Sequence, residues 1–251
     1  MPIVTARLEV LRMLARGRQR GMPLLAPNAE TPDEMLAILS AGQRFATQHR
    51  LRRMDIGVGV TAGYPEHGSL QRLMHGLNRK NGPIGVGARL WLGYLHALVN
   101  TGLFDRVNVV PFIDHGWAVD PHDLALLRDR AIIEAFGIIM FDASALDFPE
   151  NIRLTRQYVR RAGQRVVIEG CADQIRSSAD GDKRVALSSV ESVVEYVEKT
   201  GVDLIVPNLG TEHRVTVDRG LRYHAALARQ IARRIGPRMS LHGRSSLGGR
   251  I

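Results

Sequence analysis

A single cysteine, Cys171, leaves no partner within the chain for a disulfide, which agrees with a reducing compartment. Long hydrophobic runs are also missing. The apolar stretch 131–141 is interrupted by Glu134 and is too short to cross a bilayer. The N-terminal sequence MPIVTARLEVLRMLARGRQR lacks a hydrophobic core followed by a small-residue cleavage site, so it does not read as a secretory signal. Together these absences predict a cytoplasmic protein without a membrane partner. No short internal repeat or low-complexity tract occurs.

Acidic residues are outnumbered, with 25 Asp and Glu against 34 Lys and Arg and a formal net charge of +9. Clustered cations would attract nucleic acid by releasing counterions. Here they are scattered: Arg50, Arg52 and Arg53, then Arg160 and Arg161, then Arg233 and Arg234 fall at helix ends or between elements, where cations suit the helix C-terminus. No helix-turn-helix, zinc-finger or RNP-type pattern accompanies them, and the expectation is no nucleic-acid partner. The surplus still favours anionic small substrates. A hydrophobic fraction of 45% and a charged fraction of 24% are those of an ordinary globular protein. At 251 residues the chain is read as one large domain, residues 1–251.

Short apolar segments alternate with longer amphipathic ones, the pattern of a parallel sheet with crossover helices. Seven strands are predicted at 22–28, 55–61, 107–114, 137–142, 165–170, 202–208 and 238–242. Their near-continuous apolar character suits strands buried on both faces, as in a closed parallel barrel. Helix punctuation lies between them. Thr31, Pro32 and Glu34 form an N-cap, a first-turn proline and a capping-box glutamate; Asp120–Pro121 and the stretch 188–191 repeat the device. Gly102, Gly163 and Gly201 stand where a left-handed residue would end a helix. A helix at 5–18 is expected to close the bottom of the barrel, and the glycine-rich stretch 63–87 reads as a long excursion between strand and helix.

In such an architecture catalytic groups sit at the C-terminal ends of strands. Three of the nine histidines fall there: His115, His213 and His242. Three imidazoles can fill most of a catalytic zinc shell and leave one position open. One such histidine alone would read as a hydrogen-bonded core or rim residue; three at equivalent strand ends favour the metal. His49, His67, His75, His96, His122 and His224 fall on helices or in loops, where packing or surface roles suffice.

The residues around these histidines resemble the class II, zinc-dependent ketose-bisphosphate aldolases. Phe112-Ile113-Asp114-His115-Gly116 is similar to the family's strand ending in an aspartate and a zinc histidine. Met140-Phe141-Asp142-Ala143-Ser144 with Phe148-Pro149-Glu150-Asn151-Ile152 resembles the next strand and helix start. Gly201-Val202-Asp203 leading to Gly210-Thr211-Glu212-His213, and Leu241-His242-Gly243-Arg244-Ser245, resemble the segments of the other two zinc histidines. The blocks follow the family's order from about residue 22 onward.

The resemblance implies a (β/α)8 TIM barrel that uses Zn2+ to cleave a phosphorylated ketose, such as fructose or tagatose 1,6-bisphosphate, into dihydroxyacetone phosphate and an aldehyde. His115, His213 and His242 would hold the zinc. Asp114 would exchange the proton of the hydroxyl on the carbon where the bond breaks; its alternative role is to orient His115. Asn28 and Thr61 would contact substrate, or serve as a cap or turn. Gly243 and Ser245 would meet phosphate, or form only a turn. Asp142 and Glu169 match acidic positions near the metal and would tune the ligands, offer an alternate metal position, or make structural hydrogen bonds. A homodimer or homotetramer is expected.

Some positions depart from that pattern. Cys171 stands where the family has a second glutamate and reads as a small buried hydrophobe. The loop acid that abstracts the substrate proton has only Asp180 and Asp182 as candidates. Arg214 and Arg244 replace glycines. Strand seven is soon followed by Ile251, so the expected barrel lacks the eighth strand and the final helix; either the chain is a fragment, or a partner, a second copy for one, or another segment covers the open edges. A degenerate barrel that binds metal or a phosphorylated ligand without aldol cleavage is the alternative function.

Overall fold

A computed structural model describes residues 3–63, 74, 76–80, 84–173, 186–211 and 223–243. The chain packs as two compact units: Met1–Phe141 with Ala162–Val167, and Asp142–Arg161 with Ile168–Ile251. Among the described residues, none of the helices is long and apolar enough to cross a membrane.

The first unit begins with helix α1 (Arg7–Gln19), α2 (Pro32–Gln48) and strand β1 (Met54–Thr61). A short α3 (Leu77–Lys80) precedes α4 (Val86–Asn100), β2 (Val107–Trp117), α5 (Pro121–Arg128), α6 (Arg130–Ala135) and β3 (Ile138–Asp142). The strand order follows the chain, β1-β2-β3. β1 and β2 are parallel, in a register that sets Met54 opposite Val107 and Thr61 opposite Asp114. Val58, Val60, Val109, Ile113, Ile139 and Met140 are fully buried, as expected of strands covered on both faces. The α1 helix buries Val10 and Met13, and Val4 and Val10 close in beside Gly137, just ahead of β3. It thus covers the N-terminal end of these strands. Buried Trp91 of α4 donates its Nε1–H to the carbonyl of Ala29 at 2.7 Å and stacks on Phe136.

The second unit carries most of α7 (Phe148–Ala162) and of β4 (Val167–Cys171), then α8 (Val190–Thr200), β5 (Leu204–Val206) and α9 (Ala225–Ile235). β4 and β5 pair in parallel, Glu169 opposite Leu204. The helices pack through a buried polar knot in which the Tyr196 hydroxyl donates to Asn151 Oδ1 at 3.1 Å and lies 2.9 Å from Thr155 Oγ1. Asn151 Nδ2 in turn donates to the carbonyl of Cys171 at 2.9 Å, fixing the end of β4.

Most punctuation falls where expected. Thr31 caps α2 in a complete capping box, Asp120 caps α5, and Gly102 and Gly201 are left-handed. Gly163 is not left-handed, and the cap of α8 is Ser189, paired with Ser192. The expected strands 22–28 and 238–242 appear only as parallel bridges, Leu25 with Ile56, Asn28 with Gly59, and Met239 with Ile205. Pro23 and Pro27 have no N–H to give a ladder, although the Leu25 and Pro27 carbonyls accept from Gly57 and Gly59. Of the excursion 63–87, α3 and the start of α4 are described; residues 64–73, 75 and 81–83 lie outside the described residues.

Candidate active site

In the first unit the end of β2 carries the two residues of greatest interest. Asp114 is 8% exposed and His115 is 5% exposed. His115 adopts φ 51°, the left-handed region that a residue with a Cβ enters at a cost of about 1–2 kcal/mol. Such a conformation persists where the surroundings impose it, commonly at functional sites. Gly116 follows because a Cβ there would press on Leu127 and on the Met140 carbonyl at 3.0 Å. The backbone is then pinned, since Trp117 N donates to the buried carboxylate of Asp123 at 2.9 Å. The Asp114 and His115 side chains lie close, Oδ1 to Nε2 3.8 Å.

Asn28 ties the neighbouring segment to this pair. Its Nδ2 donates to Asp114 Oδ2 at 2.7 Å and to Thr61 Oγ1 at 3.4 Å. Room for Asn28 exists because residue 59 is glycine: a Cβ there would strike Asn28 Oδ1 and lie 3.2 Å from Phe112. Asn28, Thr61, Asp114 and His115, four of the residues singled out in the sequence, thus gather at adjacent strand ends. A fifth was missed. Glu30 Oε1 accepts from both the N and the Oγ1 of Thr61 at 3.4 Å each. Burial pushes its carboxyl up to about 7, opposed by the Thr61 donors and reinforced by the charges of Asp114 and Glu34. The clue in the sequence was its place two residues beyond Asn28, on the strand-end loop.

The second unit gathers another group. His242 Nε2 lies 2.9 Å from Glu169 Oε1, and Ser240 Oγ donates to Glu169 Oε2. Glu169 is 3% exposed, and its partners come from the segment bridged to β5. Thr211 Oγ1 donates to the carbonyl of His242 at 2.7 Å, and Gly243 is left-handed at φ 67°. Asp142 Oδ1 accepts from the N and Oγ of Ser144, at 3.0 and 2.6 Å, so it shapes the turn after β3. Cys171 is fully buried, and burial first, with Asp142 second, pushes its thiol well above the usual range. It therefore packs as a neutral thiol, its Sγ–H toward the Asp173 carbonyl. His213, Ser245, Asp180, Asp182, Arg214 and Arg244 lie outside the described residues.

The profile of the family described as fructose-bisphosphate aldolase class-II matches residues 9–249. The fructose-bisphosphate aldolase of Geobacillus stearothermophilus is 31% identical over 140 residues, which is 52% of this chain and 46% of that protein. That of Thermus caldophilus is 29% identical over 149 residues, 57% of this chain and 47% of that protein. The chain thus spans about half the length of the curated relatives it matches. Among solved structures, the fructose-bisphosphate aldolase of Campylobacter jejuni superposes with a TM-score of 0.65 at 17% identity, over 93% of this chain and 64% of that one. That likeness is one of fold.

Proposed function

The chain belongs to the class-II fructose-bisphosphate aldolase family, and from that premise we propose that it is a zinc-dependent lyase which reversibly cleaves a phosphorylated ketose. The observation that carries the reading is the buried Asp114, held by Asn28 beside a His115 that sits in a costly backbone conformation. A proton-exchanging carboxylate needs to be fixed and shielded in this way.

The donor set suits zinc. His115 and His242 are imidazoles, and the Glu169 carboxylate engages His242 at Nε2, the carboxylate–histidine pairing that orients metal ligands. His115, His213 and His242 are proposed to hold the ion, which when bound supplies Lewis-acid polarisation of the substrate ketone. Asp114 takes the proton of the hydroxyl on the carbon where the bond breaks, and returns it in the reverse direction. Asn28 keeps that carboxylate in place and, with Thr61, contacts substrate; Gly243 and Ser245 meet a phosphate. Glu169 supports His242, while Asp142 acts through the Ser144 turn. We read residues 1–251 as one barrel-type domain, cytoplasmic and forming a homodimer or homotetramer.

The test combines metal analysis with a retro-aldol assay across ketose 1-phosphates and 1,6-bisphosphates. About one zinc per chain and cleavage of at least one of these substrates are expected. In Asp114→Asn, turnover should fall by roughly 100-fold or more with metal content unchanged. A zinc-saturated protein that binds the phosphates and cleaves none of them would replace the lyase by a ligand-binding barrel. Loss of zinc in step with activity in Asp114→Asn, reversed by excess zinc, would reduce Asp114 to orienting His115.

A further inference from the structure

We propose that Glu30 is a positioning residue for Asp114, setting through Thr61 and Asn28 how that carboxylate is held at the end of β2. The inference rests on the aldolase reading for what Asp114 does, and on geometry for the coupling. Four side chains form one line of hydrogen bonds. Thr61 gives its N–H and its hydroxyl to Glu30 Oε1, Asn28 Nδ2 gives to Thr61 Oγ1, and the same Nδ2 gives to Asp114 Oδ2 at 2.7 Å. The hydroxyl of Thr61 has one proton to donate. Directed at Glu30, it presents its lone pairs to Asn28 and so fixes the amide that holds Asp114.

Glu30 has its own anchorage, because its backbone N–H donates to Glu34 Oε2 at 2.7 Å and the adjacent Ala29 carbonyl accepts from Trp91. The charged groups that act on its carboxyl are Asp114 on β2 and Glu34 in the first turn of α2. Both are acidic, so both disfavour ionisation along with burial, and the carboxyl changes state near neutral pH. An ionised Glu30 is the stronger acceptor for Thr61. A protonated one loosens that hold, and Asn28 with it. The pH dependence thus reaches Asp114 through Thr61 and Asn28.

The parent enzyme's kcat should rise with pH through about 7, from this step. Glu30→Gln, neutral at every pH like the protonated carboxyl, should flatten that inflection and hold kcat near the parent's low-pH limit. Glu30→Ala removes the acceptor and should lower kcat by roughly tenfold or more, with KM changed by less than about twofold. An inflection preserved in Glu30→Gln, or an effect of Glu30→Ala confined to KM, overturns the proposal. A second measurement does not depend on turnover: the Thr61 amide and the Asn28 side-chain amide, followed by NMR, should shift together near pH 7 in the parent and stay still in Glu30→Gln. If the parent cleaves no ketose phosphate but both signals titrate as described, the coupling stands and the aldolase reading falls. If neither signal titrates, the Glu30 proposal falls whatever the activity.

Discussion

At Glu30 burial works against ionisation, so the folded protein holds a proton there up to about pH 7, whereas the unfolded chain releases it near the ordinary value of 4.5. The sign of the effect on stability follows from linkage. A carboxyl raised on folding contributes stability that is fully present below the unfolded value and is lost as pH rises through the folded one. By about pH 9 the ionised group therefore costs on the order of 1–3 kcal/mol. Glu30→Gln has nothing to ionise. Its melting temperature should match the parent's near pH 5 and exceed it by a few degrees near pH 9; an equal difference at both pH values would mean that the buried charge is not the cause. Only its place two residues beyond Asn28 hinted at it in the sequence, because its perturbation comes first from burial, with the charge of Asp114 adding to it, and only folding supplies both. Asp114 and His115 were legible, being adjacent and at the end of an apolar run.

Local chemistry decided how well each element could be read. Helix α2 announces itself through Thr31, Pro32 and Glu34, whose capping contacts are all local, with Thr31 Oγ1 accepting from Glu34 N at 3.2 Å. The segment 22–28 reads as a strand from its apolar residues, but its two prolines reduce it to a line of carbonyls that accept from β1. What that segment does for the site depends on β1, where Gly59 leaves the space that Asn28 fills. A Gly59→Ala change should push Asn28 off Asp114 without touching either residue chemically. Turnover is then expected to fall roughly 10- to 100-fold, with zinc content unchanged and a stability loss of about 1–3 kcal/mol from overpacking. The same loss of turnover in Asn28→Ala, and no further loss when the two changes are combined, would show that they act through one contact. Additive losses would show that Gly59 matters for some other reason.

Seen across the whole chain, the proposed zinc ligands His115, His213 and His242 are far apart in sequence, and no local spacing signals them; only their repeated position after apolar strands does. A metal held this way binds the folded chain and not the unfolded one, so it adds stability according to its concentration relative to Kd. At about 100 times Kd the gain is roughly 2.7 kcal/mol, which for a chain of this length corresponds to a melting temperature about 5–10 °C higher. Zinc should produce that rise at fixed protein concentration, and a chelator should reverse it. Magnesium at the same concentration should do little, because imidazole donors suit zinc and oxygen donors suit magnesium. His242→Ala should abolish the zinc-dependent shift. Glu169→Gln, which leaves the ligand but weakens the carboxylate on its Nε2, should require roughly 10- to 100-fold more zinc for the same shift. A parent whose melting temperature ignores zinc, or a His242→Ala variant that responds as the parent does, would remove His242 from the metal site and leave Glu169 and Ser240 as a structural brace for the segment beside β5.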